Sequence, residues 1–193
     1  MSNKGLFEIF FQMAIVNNFA VALFLGLCPF FGVTKRVKDA VPMGVALGLV
    51  MFISAAICWI LTYQLLIPFK ILYMNNVIYI LVISTLVQLT EMYVKRTNAN
   101  LYNAFGIFLP LITVNCGVLG ITFINLREQY SLIQSIVSAF GGAVGFAYIM
   151  IVMAAIREKL DTALLPINFR GLPIAIFVAM LLGLTFYGFA GLV

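Results

Sequence analysis

The chain has 193 residues, of which 64% are hydrophobic and only 9% charged, with a formal net charge of +5 and no histidine. A soluble domain of this length carries about a quarter charged residues because its surface faces water, so this balance excludes a soluble globular fold. The surplus of positive charge does not point to nucleic acid either, because it sits in short clusters between long apolar runs.

Taken in chain order, those runs predict six membrane-spanning helices. Residues 9–34, 40–69, 71–90, 97–126, 129–156 and 171–193 are the runs, and charged side chains gather between them. Each matches or exceeds the roughly 20 apolar residues that cross a bilayer core as a helix, and lipid demands that backbone groups be paired within the segment. Six such spans leave about 70 residues for turns, too few for a soluble domain. The first run is longer than the core of a secretory signal and lacks a clear small-residue cleavage site, so it reads as a retained helix. The loops then alternate between two sides. The N-terminus and the loops after helices 2 and 4 carry Lys4, Lys70 and Arg127. The other three loops carry Lys35, Arg36, Lys38, Lys95, Arg96, Arg157, Lys159 and Arg170. This bias places loops 1–2, 3–4 and 5–6 in the cytoplasm and both termini outside. The stretch from Arg157 to Asp161 reads as a solvated cytoplasmic loop.

A pattern recurs within the chain. Cys28-Pro-Phe-Phe-Gly-Val-Thr34 in helix 1 and Cys116-Gly-Val-Leu-Gly-Ile-Thr122 in helix 4 both read C-x-x-x-G-[VI]-T, 88 residues apart. The expected fold is therefore an all-α integral membrane protein, one transmembrane domain over residues 1–193. It divides into a three-helix repeat at about 1–95 and another at about 97–193. Three is odd, so the second repeat is inverted, and inverted repeats put sites at their interface near the bilayer midplane. Gly26, Pro29 and Gly32 flank Cys28, while Pro110, Gly117 and Gly120 flank Cys116. Helices 1 and 4 are therefore expected to be broken. Each cysteine lies 20 residues after a charged residue, Glu8 or Arg96. In straight helices entering from opposite faces, each would sit roughly 30 Å from its entry face, a membrane apart. Only breaks bring the two cysteines together.

Cys58, beside Trp59 in helix 2, has no counterpart and reads as packing. For Cys28 and Cys116, packing, an interhelical disulfide and a shared metal or redox role all stay open. Without histidine the chain builds neither a Rieske-type centre nor a His-ligated haem. Iron–sulfur clusters usually take four thiolates, so two cysteines would be half a site, completed by a second chain. Asn17, Asn18 and Asn115 are placed to bond backbone freed by the breaks or to line an ion path. Thr113 and Glu91 are further candidates for the same ion path or support, with Gln88 the remaining polar group of note. An intramembrane acid is a functional candidate, but Glu91 is expected rather to pair with Lys95 one turn on. Nothing resembles a nucleotide fingerprint or a catalytic triad.

The stretches VNNFAVALFLGLCPFFGV (16–33), LTEMYVKRTNANLYNAFGIFLPLITVNCGVLG (89–120) and AAIREKL (154–160) resemble a family of membrane subunits found in two ion-translocating redox complexes. One member is the A-type subunit of the Rnf ferredoxin:NAD oxidoreductase; another is the E-type subunit of the sodium-translocating NADH:quinone reductase. The likeness runs from end to end. VNNF, GLCPF and the short loop between helices 2 and 3 are more similar to the Rnf version than to the quinone reductase version, which tends to read ENMAL and GMCTF. The resemblance implies a six-helix subunit paired with a homologous subunit of opposite orientation, of the E type in Rnf. It also implies an intramembrane [2Fe–2S] cluster ligated by two cysteines from each, here Cys28 and Cys116. Further partners would be Rnf subunits carrying flavins and iron–sulfur clusters, in a bacterial or archaeal cytoplasmic membrane. The chain would conduct electrons between ferredoxin and NAD and couple them to sodium or proton movement, without catalysing the reaction alone. The competing readings are the equivalent quinone reductase subunit, a metal-free secondary transporter that tolerates Cys28→Ser, and a purely structural scaffold.

Overall fold

The computed structural model describes residues 5–16, 18–68, 74–97, 115–162 and 171–188, and among these the chain is helical with no strand. The first span is interrupted twice. Helix α1 (Leu6–Phe11) runs into a wider π-helical turn at Gln12–Val16, and the chain restarts as the single turn α2 (Phe19–Ala22). A left-handed passage follows, with Phe24 at φ 52° and Gly26 at φ 80°. Only then does α3 (Leu27–Val33) begin. A left-handed residue cannot continue a right-handed helix, and Gly26 adopts it at no steric cost.

Helix α4 (Val37–Leu61) is prolonged by a π-helical turn, Thr62–Leu66, and is followed by α5 (Asn75–Thr97), α6 (Cys116–Arg127), α7 (Leu132–Asp161) and α8 (Leu172–Tyr187). Two helices, Val37–Leu66 and Leu132–Asp161, are long and apolar enough to cross a membrane, with mean hydropathies of 2.4 and 2.1; the others are shorter apolar helices. Helix α6 covers the C-terminal part of the run 97–126, and residues 98–114 lie outside the described residues. Helix α7 starts at a capping box. The Ser131 hydroxyl accepts from Gln134 N–H at 3.4 Å and the Gln134 side chain accepts from Ser131 N–H at 3.0 Å, which satisfies two otherwise orphaned donors.

The two long helices pack antiparallel. Val37 at the start of α4 meets Glu158 near the end of α7. A methyl built on Gly44 would lie 3.0 Å from Ala147 Cβ, and one on Gly48 3.3 Å from Ala143 Cβ. Small residues four apart on both helices let the backbones close up, which is how apolar helices gain contact where lipid removes the hydrophobic incentive. On another face of α7, Gly141 and Gly145 lie directly against the backbone of Phe10 and Ala14, so the first helix runs alongside in the same direction as α7.

One expectation is overturned. Residues Arg157 to Asp161 are not a solvated loop: α7 continues through them to Asp161, and Arg157 is buried. Arg, Glu, Lys and Leu are strong helix formers, and the guanidinium has partners inside the fold. Its Nη1 donates at 3.0 Å to the carbonyl oxygen of Phe31 and at 3.0 Å to Thr34 Oγ1.

Candidate metal centre at the helix breaks

The break before α3 and the start of α6 meet, although they are 90 residues apart in sequence. The backbone N–H of Gly26, at the entry of α3, donates to Cys116 Sγ at 2.8 Å. Cys28 is the second residue of α3 and Cys116 the first of α6, so both thiols sit in the first turn of a helix. Backbone N–H groups there have no intrahelical acceptor, and the positive end of the helix dipole favours negative charge. Cys28 is exposed, Cys116 is half-buried, and all three cysteines are free thiols.

Two asparagines hold the helix starts. Asn18 precedes α2; its Oδ1 accepts from Ala20 N–H at 3.2 Å and its Nδ2 donates to the Ala14 carbonyl at 3.3 Å. Asn115 precedes α6, and its Oδ1 accepts from Gly117 N–H at 2.7 Å. Both are N-caps, in which a short amide replaces the missing backbone acceptor. The Nδ2 of Asn115 is buried and meets no acceptor among the described residues.

A stacked aromatic pair underlies the left-handed turn at Gly26 and the start of α6. Phe19 and Phe146 lie with centroids 5.3 Å apart and planes within 8°. A methyl on Gly26 would come within 2.7 Å of the Phe146 ring, and one on Gly117 within 2.7 Å of the Phe19 ring. Gly26 thus rests on one ring of the pair and Gly117 on the other, and glycine is the only residue that lets the backbone lie this close. The far end of α3 is held by Arg157, whose positive charge also complements the C-terminal end of that helix.

Asn17 and Thr113 lie outside the described residues, as do the side chains of Glu91 and Lys95 on α5. Gln88 is exposed on that helix. Cys58 is buried in α4, away from the breaks, and lines a small pocket. Arg157 shapes the site without having been expected there, and Gly26 was expected only as a break. The φ of Gly26 and the burial of Arg157 depend on contacts with distant helices, which leave no local pattern.

The Gly26 N–H on Cys116 and the unpaired Asn115 amide N–H next to it in sequence are donors suited to a sulfur ligand carrying negative charge. No cluster of three or more His, Cys, Asp or Glu residues occurs among the described residues, and the exposed Cys28 leaves the site open to completion from outside the chain.

Comparison with known proteins agrees along the full length. Residues 6–193 match the family described as "Rnf-Nqr subunit, membrane protein". The chain is 48% identical over 190 residues, covering 98% of both chains, to the A-type subunit of the "Ion-translocating oxidoreductase complex" of Syntrophotalea carbinolica. It is 45% identical to the protein of the same name from Proteus mirabilis, over 96% of both chains. It is 43% identical to the A-type subunit of the "Na(+)-translocating ferredoxin:NAD(+) oxidoreductase complex" of Acetobacterium woodii, over 95% of this chain and 96% of that one. With a match over nearly every residue and its apolar helices, the chain belongs to the Rnf-Nqr family of membrane subunits.

Proposed function

We propose that this chain is a membrane subunit of an ion-translocating oxidoreductase complex of the Rnf type, in which Cys28 and Cys116 supply half the ligands of a [2Fe–2S] cluster. The other two thiolates would come from a homologous subunit of opposite orientation. When bound, the cluster supplies one-electron transfer within the membrane, between redox groups of neighbouring subunits that link ferredoxin to NAD. The observation that carries this reading is the Gly26 N–H to Cys116 Sγ bond, because it brings the two repeat-related segments to one place.

The chain's own residues do four things in this reading. Gly26 N–H orients the Cys116 sulfur. The unpaired Asn115 Nδ2 offers a further donor to negative charge at the same place. Phe19 and Phe146 exclude water beneath the pair. Arg157 fixes the far end of the Cys28 helix. The antiparallel packing of α4 and α7, through Gly44 with Ala147 and Gly48 with Ala143, supports two inverted three-helix halves. The basic loops would then be cytoplasmic and the termini outside. The names of the relatives, one of which specifies sodium, support coupling of electron transfer to sodium or proton movement. The chain acts as part of the complex and does not catalyse the overall reaction alone.

The test is iron analysis and electron paramagnetic resonance of the purified complex. Cys28→Ser and Cys116→Ser should each remove the same [2Fe–2S] signal and its iron from the complex, while Cys58→Ser leaves both unchanged. An unaltered iron count and spectrum in the first two variants would overturn the ligand assignment.

A further inference from the structure

A second polar site lies further along α6, away from the cysteines. Thr122 and Asn125 are six and nine residues beyond Cys116, so they lie about 9 and 13 Å along the helix from it. They face a pocket of about 10 Å³ that is also lined by Thr62, Tyr79 and Ser135, with the stacked rings of Trp59 and Tyr63 at its edge. A space of this size admits one guest no larger than a water molecule.

The hydrogen bonding of the lining limits what that guest can be. Thr62 donates its proton to the Cys58 carbonyl at 2.7 Å and therefore accepts from Tyr79. Thr122 donates to the Leu119 carbonyl at 2.7 Å. Asn125 directs its Nδ2 to Ser135 Oγ at 2.7 Å, and Trp59 directs its N–H to the Tyr130 carbonyl at 2.9 Å. The donors of Thr62, Thr122, Asn125 and Trp59 are thus turned to the protein, and lone pairs of the threonine and amide oxygens are left for the pocket. Asn125 is 6% exposed, and its Oδ1 has no hydrogen-bond partner among the described residues. An acceptor buried without a partner is costly unless something fills the role.

The two threonines of the repeated C-x-x-x-G-[VI]-T pattern sharpen the point. Thr34 accepts from a cation built into the protein, the Arg157 guanidinium. Thr122 lines a pocket whose described lining carries no charged side chain. We propose that this pocket binds one dehydrated, sodium-sized monovalent cation through neutral oxygens, chiefly Asn125 Oδ1 and Thr122 Oγ1. Divalent ions are disfavoured because they rely on carboxylate ligands and none lines the pocket. Two further buried hydroxyls without a partner among the described residues, Ser54 and Ser138, lie one turn from the pocket along α4 and α7. They extend the line of oxygens toward Met51, which packs near Gly117 beside Cys116. The site therefore deepens the ion-translocating reading, and rests on it for the entry of a cation to this depth.

The experiment is equilibrium binding of sodium-22 to the purified, detergent-solubilised complex, with iron content measured on the same samples. Thr122→Val and Asn125→Leu should each weaken one class of sodium site by about tenfold or more. Asn125→Asp, which adds a negative charge, should tighten it. Iron content should remain that of the wild type in all three. Unchanged sodium binding in Thr122→Val and Asn125→Leu complexes with full iron content would mean that the pocket holds water, and the proposal would be wrong. Should Asn125→Leu fail to assemble, Thr122→Val decides by the same criterion. Sodium binding is read independently of the cluster, so loss of the cluster assignment and loss of the cation site are separate results.

Discussion

The segments around Cys28 and Cys116 share one sequence pattern but are held in different ways. Helix α3 has no side-chain cap at its start, where Gly26 is left-handed, and it is anchored from its far end by Arg157. Helix α6 is capped at its start by Asn115 and runs on for twelve residues to a pocket lined with neutral oxygens. The same local motif can thus be fixed from behind by a charge or from in front by an amide. The difference leaves one end of each helix free for another purpose.

The largest expected effect that would break this comparison is Gly26→Val. A branched side chain at φ 80° is strained and meets the Phe146 ring, for a combined cost of about 3 kcal/mol or more. The complex should lose thermal stability and the iron of the proposed cluster together; retention of both would show that the break tolerates a different geometry. Next is Arg157→Met, which leaves the Phe31 carbonyl and the Thr34 hydroxyl without their donor, at about 2–3 kcal/mol. Arg157→Lys keeps the charge without the planar fork and should recover part of the loss in a thermal melt. Equal melting of all three would mean that α3 needs no rear anchor.

Asn115→Ala should cost about 1 kcal/mol through loss of the cap. Asn115→Ser restores a capping oxygen but not the amide donor. We expect it to recover the melting temperature while the midpoint potential of the proposed cluster still falls, because a lost donor disfavours the more negative reduced form. An unchanged potential would assign Asn115 to capping alone. The smallest effect belongs to Cys58→Ala, below about 1 kcal/mol from a small cavity, with iron content unaltered.

The helical, membrane-embedded character of the chain was legible in the sequence, as were the glycines at which the first span breaks. The grouping of Gly26 with Cys116 was not, because a backbone hydrogen bond across 90 residues leaves no local trace. Arg157 was misread for a related reason. A charged residue after an apolar run ordinarily marks the exit to water, and its burial follows only from the open carbonyl of Phe31 and the hydroxyl of Thr34. The pocket left a weak trace, in the spacing of Thr122 with Asn125 and of Ser135 with Ser138 on single helix faces.

Bilayer thickness and the need to pair every backbone group in lipid act on composition and run length. The all-helical, apolar class of the fold therefore follows from the residues alone. Asn, Gly and Pro act within one or two turns, so they determine where a helix stops. Which stopped ends meet, which cation is drawn inward and which oxygens face a common pocket were decided by packing among distant helices. These helices are apolar nearly all round, without the one-sided stripe that would announce a buried face. Close contacts such as Gly44 with Ala147 and Gly145 with Ala14 supply the orientation that hydrophobicity cannot.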